Sequence, residues 1–237
     1  MQSFYGIRVD GSRRPTAVAA GAWSSERYEL AIEHWLDRIM GTCTGKAVVG
    51  SLRKCQVTIV PDPEKGTPTA GPADRTLAAT AAGTRKGTVV RGGRGEAHPA
   101  LGTGRGTAVR IDFTPADFID KGAHEKPDVV LMHELAHASR WNAGVVCSVG
   151  MLKFGFLTRE EVHAVLVGNM YRSEQKLKVF RLSHRPKRYG TLSQAQATFA
   201  LGKDLIRLLA SRQPELYRRL RMIQTAFNPV RKFVQAR

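Results

Sequence analysis

His133-Glu134-Leu135-Ala136-His137, an H-E-x-x-H run, lies inside a stretch patterned as a helix. Residues four apart on a helix stand one above the other, so both imidazoles can reach a single metal ion. Glu134 sits beside them, where it could take a proton from a water activated by that ion. Pro127 introduces this central helix, Asp128 suits its positive end, and Val129, Val130, Leu131, Met132 and Leu135 make its buried stripe. The run Asn142-Ala143-Gly144 ends it.

Two histidines hold zinc loosely, and a catalytic site needs a third protein ligand and an open position. The extended pattern H-E-x-x-H-x-x-G-x-x-H fails, because Arg140 stands in the place of its Gly and Ala143 in the place of its third His. That excludes the metzincin arrangement. The other common solution is a Glu from a following helix, and a helix expected from about Arg159 to Glu174, capped by Thr158, offers Glu160 and Glu161. At about 100° per residue the apolar face of Val162, Val165, Leu166, Asn169 and Met170 has Glu161 at its edge. Glu160 points nearly the opposite way, so the geometry selects Glu161 as the ligand. The competing reading is that Glu161 closes a capping box with Thr158, since T-x-x-E is that signature. His163 is the fallback ligand, expected to project with Glu160 away from the core.

Two imidazoles and one carboxylate suit zinc better than magnesium. Glu134 is then the general base, taking the water's proton and passing it to the leaving amine. Tyr171, Arg181 and His184 follow the presumed ligand helix and are candidates to steady a tetrahedral intermediate. Each, taken alone, is more often structural. His184 comes first because it lies in a polar, turn-like run, RLSHRPKRYG. His34 reads as an exposed first-helix residue, and His98 and His124 as solvent-facing loop residues.

A first helix is expected over Ser24 to Met40, with Leu30, Ile32, Trp35, Leu36 and Ile39 as its stripe, and a second over Gly45 to Lys54. Strands are expected at Gln56 to Val60 and Ala108 to Phe113, with a short one at Thr88 to Val90. Residues 1 to 23 read as extended or poorly ordered. Between Pro61 and Gly106 the chain turns rich in Gly, Thr, Pro and Ala, the composition of a long insertion or substrate-facing loop. The GTGRG run at 102 to 106 is followed by neither a Lys-Ser/Thr pair nor a helix start, so a phosphate-cradling loop is rejected. Two C-terminal helices are expected at Ser193 to Ser211, lined by Leu201, Leu205, Leu208 and Leu209, and at Pro214 to Phe227.

The 237 residues suffice for a substantial core. Cys43, Cys55 and Cys147 are odd in number and lack C-x-x-C spacing, which argues against a disulfide framework or a zinc ribbon and for reduced thiols. There is no apolar run long enough to span a membrane, and Met1 to Gly21 lacks the apolar core of a cleavable signal peptide. The net charge of +17 is concentrated late: Arg172 to Arg237 holds 16 Lys and Arg against three acids. Such a surface suits an acidic partner, nucleic acid or an anionic membrane surface, or else simply solvates the helices.

The runs DVVLMHELAHASR (128 to 140), TREEVHAVLVGNMYRSEQ (158 to 175) and RLSH (181 to 184) resemble bacterial effector and toxin metallopeptidases. Those are zincin domains delivered by Gram-negative secretion systems, among them type III effectors and polymorphic toxin modules. The openings YGIRVDGSRRP and TGKAVVGSL look similar to the preamble of such domains. The resemblance implies zinc ligands at His133, His137 and a Glu of the 160/161 pair, with Glu134 catalytic and Tyr171 or His184 near the substrate. Two departures stand out: the 61 to 106 insertion has no clear counterpart, and Val165 occupies the place where thermolysin-like enzymes carry an Asp that orients a histidine.

The expectation is therefore an α+β, mostly helical zincin-like fold with a small sheet beside the H-E-x-x-H helix. Residues 1 to 237 read as one metallopeptidase domain, with the insertion at about 61 to 106 and a basic helical part at about 190 to 237. The expected activity is Zn2+-dependent endopeptidase action on a protein substrate, by a chain made in the bacterial cytoplasm and secreted without a cleavable signal peptide. The alternatives are a DNA-associated SprT-like metalloprotease, suggested by the basic C-terminal half, and a non-catalytic basic binding module.

Overall fold

The computed structural model describes residues 1–12, 23–54, 56–62, 68–73, 90–91, 97–98, 104–119, 125–147, 155–156, 158–184 and 186–235. Cys55, His124 and most of the 61 to 106 insertion lie outside the described residues, and of His98 only the backbone is described. The first strands, β1 (Gln2–Phe4) and β2 (Ile7–Val9), fall in the segment expected to be extended or poorly ordered. They are followed by α1 (Ser25–Met40), α2 (Cys43–Val49), β3 (Val57–Val60), β4 (Thr69–Pro72), the short pair β5 (Val90–Arg91) and β6 (Ala97–His98), and β7 (Val109–Asp112). Next come the central helix α3 (Pro127–Ala143), α4 (Arg159–Glu174), the hairpin β8 (Phe180–Ser183) and β9 (Arg188–Gly190), then α5 (Leu192–Leu201), α6 (Lys203–Arg212), α7 (Pro214–Met222) and α8 (Pro229–Phe233). The architecture is mixed α+β, with helices predominating.

One sheet runs in the order β1-β2-β3-β7-β4. β3 is parallel to β2 and β7, with Val57 facing Val109 and Ile59 facing Ile111. β4 closes the sheet antiparallel to β7, and among the described residues its outer edge carries no strand of this sheet. Alternation puts Ile7, Val9, Val57, Ile59, Val109 and Ile111 into one apolar cluster. Against it lie Ile32, Leu36 and Ile39 of α1, Leu131 and Leu135 of α3, and Leu166 of α4. α3 is the hub: it packs on α4, α1, α2, β4 and β7.

The caps explain the helix bounds. Ser24, Thr42 and Thr158 each accept a backbone N–H in the first turn of α1, α2 and α4. α3 starts on Pro127 and stops at Gly144, which takes φ 70° and sits so close to the Arg105 backbone that a Cβ there would clash at 2.4 Å.

Several expectations need correcting. Leu30 is 52% exposed and Leu201 70% exposed, so neither lines the core. The helix expected over 193 to 211 breaks at Gly202 into α5 and α6, the one expected to reach Phe227 ends at Met222, and α2 ends five residues early. The C-terminal helices join the same apolar cluster through Phe199, Ile206, Leu209, Tyr217, Leu220 and Val230. Their apolar faces make them part of the body of the protein, with the basic residues left outside. Among the described residues, no helix is long and apolar enough to cross a membrane.

Candidate metal centre

α3 offers His133, Glu134 and His137 to a cleft, and α4 brings Glu161 to the same point. Thr158 Oγ1 accepts the Glu161 amide at 3.2 Å, which fixes the first turn of α4 and leaves the Glu161 carboxylate free to face the imidazoles. The capping box therefore closes only by its backbone half. His133 Nε2 stands 3.2 Å from His137 Nε2 and 3.4 Å from Glu161 Oε2, and His137 Nε2 stands 3.6 Å from Glu161 Oε1. His184, at the end of β8, is anchored by its amide to Gly155 O at 2.9 Å. Its Nε2 reaches Glu161 Oε2 at 3.2 Å, with its ring parallel to that of His133.

These residues fit a divalent ion. Donors bonded at about 2.0–2.1 Å to one tetrahedral ion stand roughly 3.3–3.4 Å apart, close to the separations seen here. Glu161 Oε2 is buried and accepts no hydrogen bond. Neutral imidazoles with a carboxylate are the donor chemistry of zinc. His133, Glu161 and His184 also place one donor atom each within 4.8 Å of one another. Using all four residues as ligands would close the position that water needs, so His184 is better spent as a donor to the reacting group.

The electrostatics point the same way. Burial pushes His133 down to about 3, against the pull of Glu161. Burial also opposes a charged His137, but the Glu160 and Glu161 carboxylates outweigh it and push His137 up to about 10. Burial alone would raise Glu161, yet the two imidazoles hold it well below the carboxylate range. The cluster thus favours positive charge at its centre. Glu134 lies in the same cleft and is pushed up to about 7, chiefly by burial, with a hydrogen bond from the Ala70 backbone pulling it back.

Glu160 corrects the helical-wheel expectation. It points into the protein, 6% exposed, accepting from Arg140 Nε at 2.8 Å and from the Cys147 amide at 3.1 Å. Its other oxygen faces His137 Nδ1 at 3.8 Å, on the side of the imidazole where Val165 offers no polar group. His163 was expected outside and is fully buried, its Nδ1 2.9 Å from the Tyr217 hydroxyl. α4 is covered on both sides, by α3 and by the C-terminal helices, so a one-sided wheel misplaces both residues. Arg140 carried a usable signal: a charge one turn after His137 in an apolar helix calls for a buried carboxylate.

The cleft has a volume of about 690 Å³ and is lined by His133, Glu134, His137, Glu161 and His184, together with Arg181 from the hairpin. Pro68, Thr69 and Ala70 bring the edge strand β4 to its rim. Composition hid this strand inside the Gly- and Thr-rich insertion. Tyr171 is not among the residues lining the cleft; its buried hydroxyl donates to Asp128 Oδ2 at 2.7 Å. Ten residues at 1.5 Å each carry it about 15 Å along α4 from Glu161, too far to share a substrate atom. Of the two free thiols described, Cys43 is exposed and Cys147 buried.

Residues 23–150 match a family model, Peptidase_M91, described as "Effector protein". The matched span takes in α1 and the whole of α3 with its H-E-x-x-H run, and ends before α4. No curated protein matches the chain.

Proposed function

The chain belongs to the Peptidase_M91 effector-protein family, and from that premise we propose that it is a zinc-dependent endopeptidase with a zincin-like fold, delivered into a target cell. The observation that carries this reading is the convergence of His133, His137 and Glu161 within 3.6 Å of one another beside the buried Glu134. When bound there, zinc supplies Lewis acidity towards water and the scissile carbonyl.

The chain's own groups do the rest. Glu134, poised near neutral pH, accepts the proton of the attacking water and returns it to the leaving amine. His184 donates to the oxygen that gains charge as the carbonyl carbon becomes tetrahedral. Glu160, fixed by Arg140, places a negative charge behind His137. The open edge of β4 can pair with an extended substrate and lay one peptide bond across the imidazoles, with side chains alternating into and out of the cleft.

The test is a cell extract incubated with the purified chain and read for new protein N-termini by mass spectrometry. Wild type should generate a defined set of them, and Glu134→Gln, folded and carrying the same zinc, should generate none. Identical sets from both proteins would remove Glu134 from the mechanism.

A further inference from the structure

Beyond the ligands, the cleft has a cationic wall that the hydrolytic reading does not use. Arg172, Arg181 and Lys187 all line it, and Glu125 is the acid among them. Glu125 is already engaged: it accepts from Lys187 and, at 3.1 Å, from the Tyr189 hydroxyl. Arg172 is 3% exposed, donates to Val179 O at 3.3 Å and stacks its guanidinium over Tyr189. Its pKa is drawn down to about 10 by burial and by neighbouring charge, Arg181 included.

Arg181 is the informative member. Its backbone is clamped in both directions by the side chain of Asn169, at 2.7 Å and 2.8 Å, and its Nε donates to Ser183 O at 3.1 Å. The guanidinium is thereby fixed, yet its Nη2 is buried and without a hydrogen-bond partner. Arg181 also makes no ion pair among the described residues, in contrast to Arg140, which has Glu160. A guanidinium that serves only the fold is normally given a carboxylate; Arg181 lines the cleft without one, which leaves its charge available to an anion there. Arg181 lines the same cleft as His133 and Glu134, so that anion would sit near the scissile bond.

We propose that this wall is a specificity subsite for an anionic side chain of the substrate, a carboxylate or a phosphoryl group, bound by Arg181 with Arg172 and Lys187 alongside. The proposal rests on the peptidase reading and adds the class of residue that the enzyme selects. A planar guanidinium matches either anion through two parallel N–H···O bonds. A neutral side chain there would leave the guanidinium desolvated and unpaired, which is how such a subsite rejects it.

Matched peptide sets built on a cleaved sequence test this, with Glu, Gln, phosphoserine, Ser or Lys placed at each position around the scissile bond. For wild type, kcat/KM should favour an anionic residue over its neutral counterpart by roughly 10–100-fold at one position, with the Glu and phosphoserine arms telling carboxylate from phosphoryl. In Arg181→Gln that ratio should collapse towards one; Arg181→Glu should turn the preference towards Lys. Arg181→Lys, which keeps the charge but loses the fork, should fall between and serves if the Gln variant folds poorly; melting temperature and zinc content check folding throughout. A wild-type ratio near one at every position would overturn the subsite, as would a ratio that survives Arg181→Gln. A uniform loss on all peptides would also overturn it, because Arg181 would then act on the reacting carbonyl. If wild type cleaves no peptide or protein at all, the peptidase reading itself fails, an outcome separate from cleavage without anionic preference.

Discussion

On the inner side of the seam between α3 and α4, Glu160 accepts from Arg140 at 2.8 Å and from the Cys147 amide at 3.1 Å. On the outer side, one residue later, Glu161 stands 3.4 Å and 3.6 Å from two imidazoles. The two neighbours are chemically identical, and both are ionised. The inner carboxylate has a guanidinium for its charge. The outer one is flanked by the imidazoles of His133, His137 and His184. The contrast is one of partners: the first carboxylate is set against a guanidinium, the second against imidazoles.

The largest effect expected on the outer side is catalytic. Glu134→Gln should lower kcat/KM by about 10²–10⁴-fold while leaving the melting temperature and zinc content in place. A fall in melting temperature that tracks the loss of activity would mean that Glu134 belongs with the structural side. The sharpest separation comes next, from urea denaturation of metal-free protein. Glu160→Ala strands Arg140 in the core and should cost about 3–5 kcal/mol. Glu161→Ala removes one of the two carboxylates beside His137 and leaves Glu160 to face it, so it should cost less, about 1 kcal/mol. Equal losses would erase the distinction.

A smaller catalytic effect is expected at His184. His184→Gln should reduce kcat by about 10²-fold with zinc retained; zinc loss would instead make His184 a ligand. Smallest is the tether of the hairpin. Burial works to raise the Glu125 carboxyl, but Lys187, Tyr189 and Arg181 together hold it below its ordinary value. A carboxyl lowered by folding stabilises the native state above its unfolded pKa of about 4.3, and that contribution is lost as pH falls through the folded value. Unfolding free energies from urea denaturation should therefore drop on acidification below about pH 4.3 by under 1 kcal/mol more in wild type than in Glu125→Gln. Parallel pH curves would show that the tether adds nothing.

Much of this was legible in the sequence. α1, α3 and α4 begin and end where Ser24, Pro127, Gly144 and Thr158 say they should, because caps are local chemistry. The H-E-x-x-H spacing brings His133 and His137 together for the same reason, and the polar run around His184 does deliver a histidine to them. What stayed hidden depends on partners distant in sequence. Glu160 and His163 face inward because Arg140 and Tyr217 come from other helices to meet them. β4, with the sequence Thr-Ala-Gly-Pro, has no strand propensity to announce it; pairing with β7 makes it a strand. Tyr171, expected near the substrate, donates to Asp128 and does not line the cleft, since a motif carries no distance along the helix.

The central claim is that His133, His137 and Glu161 hold one ion, and metal analysis of purified protein tests it most directly. Wild type and Glu160→Gln should each carry about one zinc per chain, and Glu161→Ala nearly none. Full zinc in Glu161→Ala, or no zinc in a folded wild type, would contradict the account.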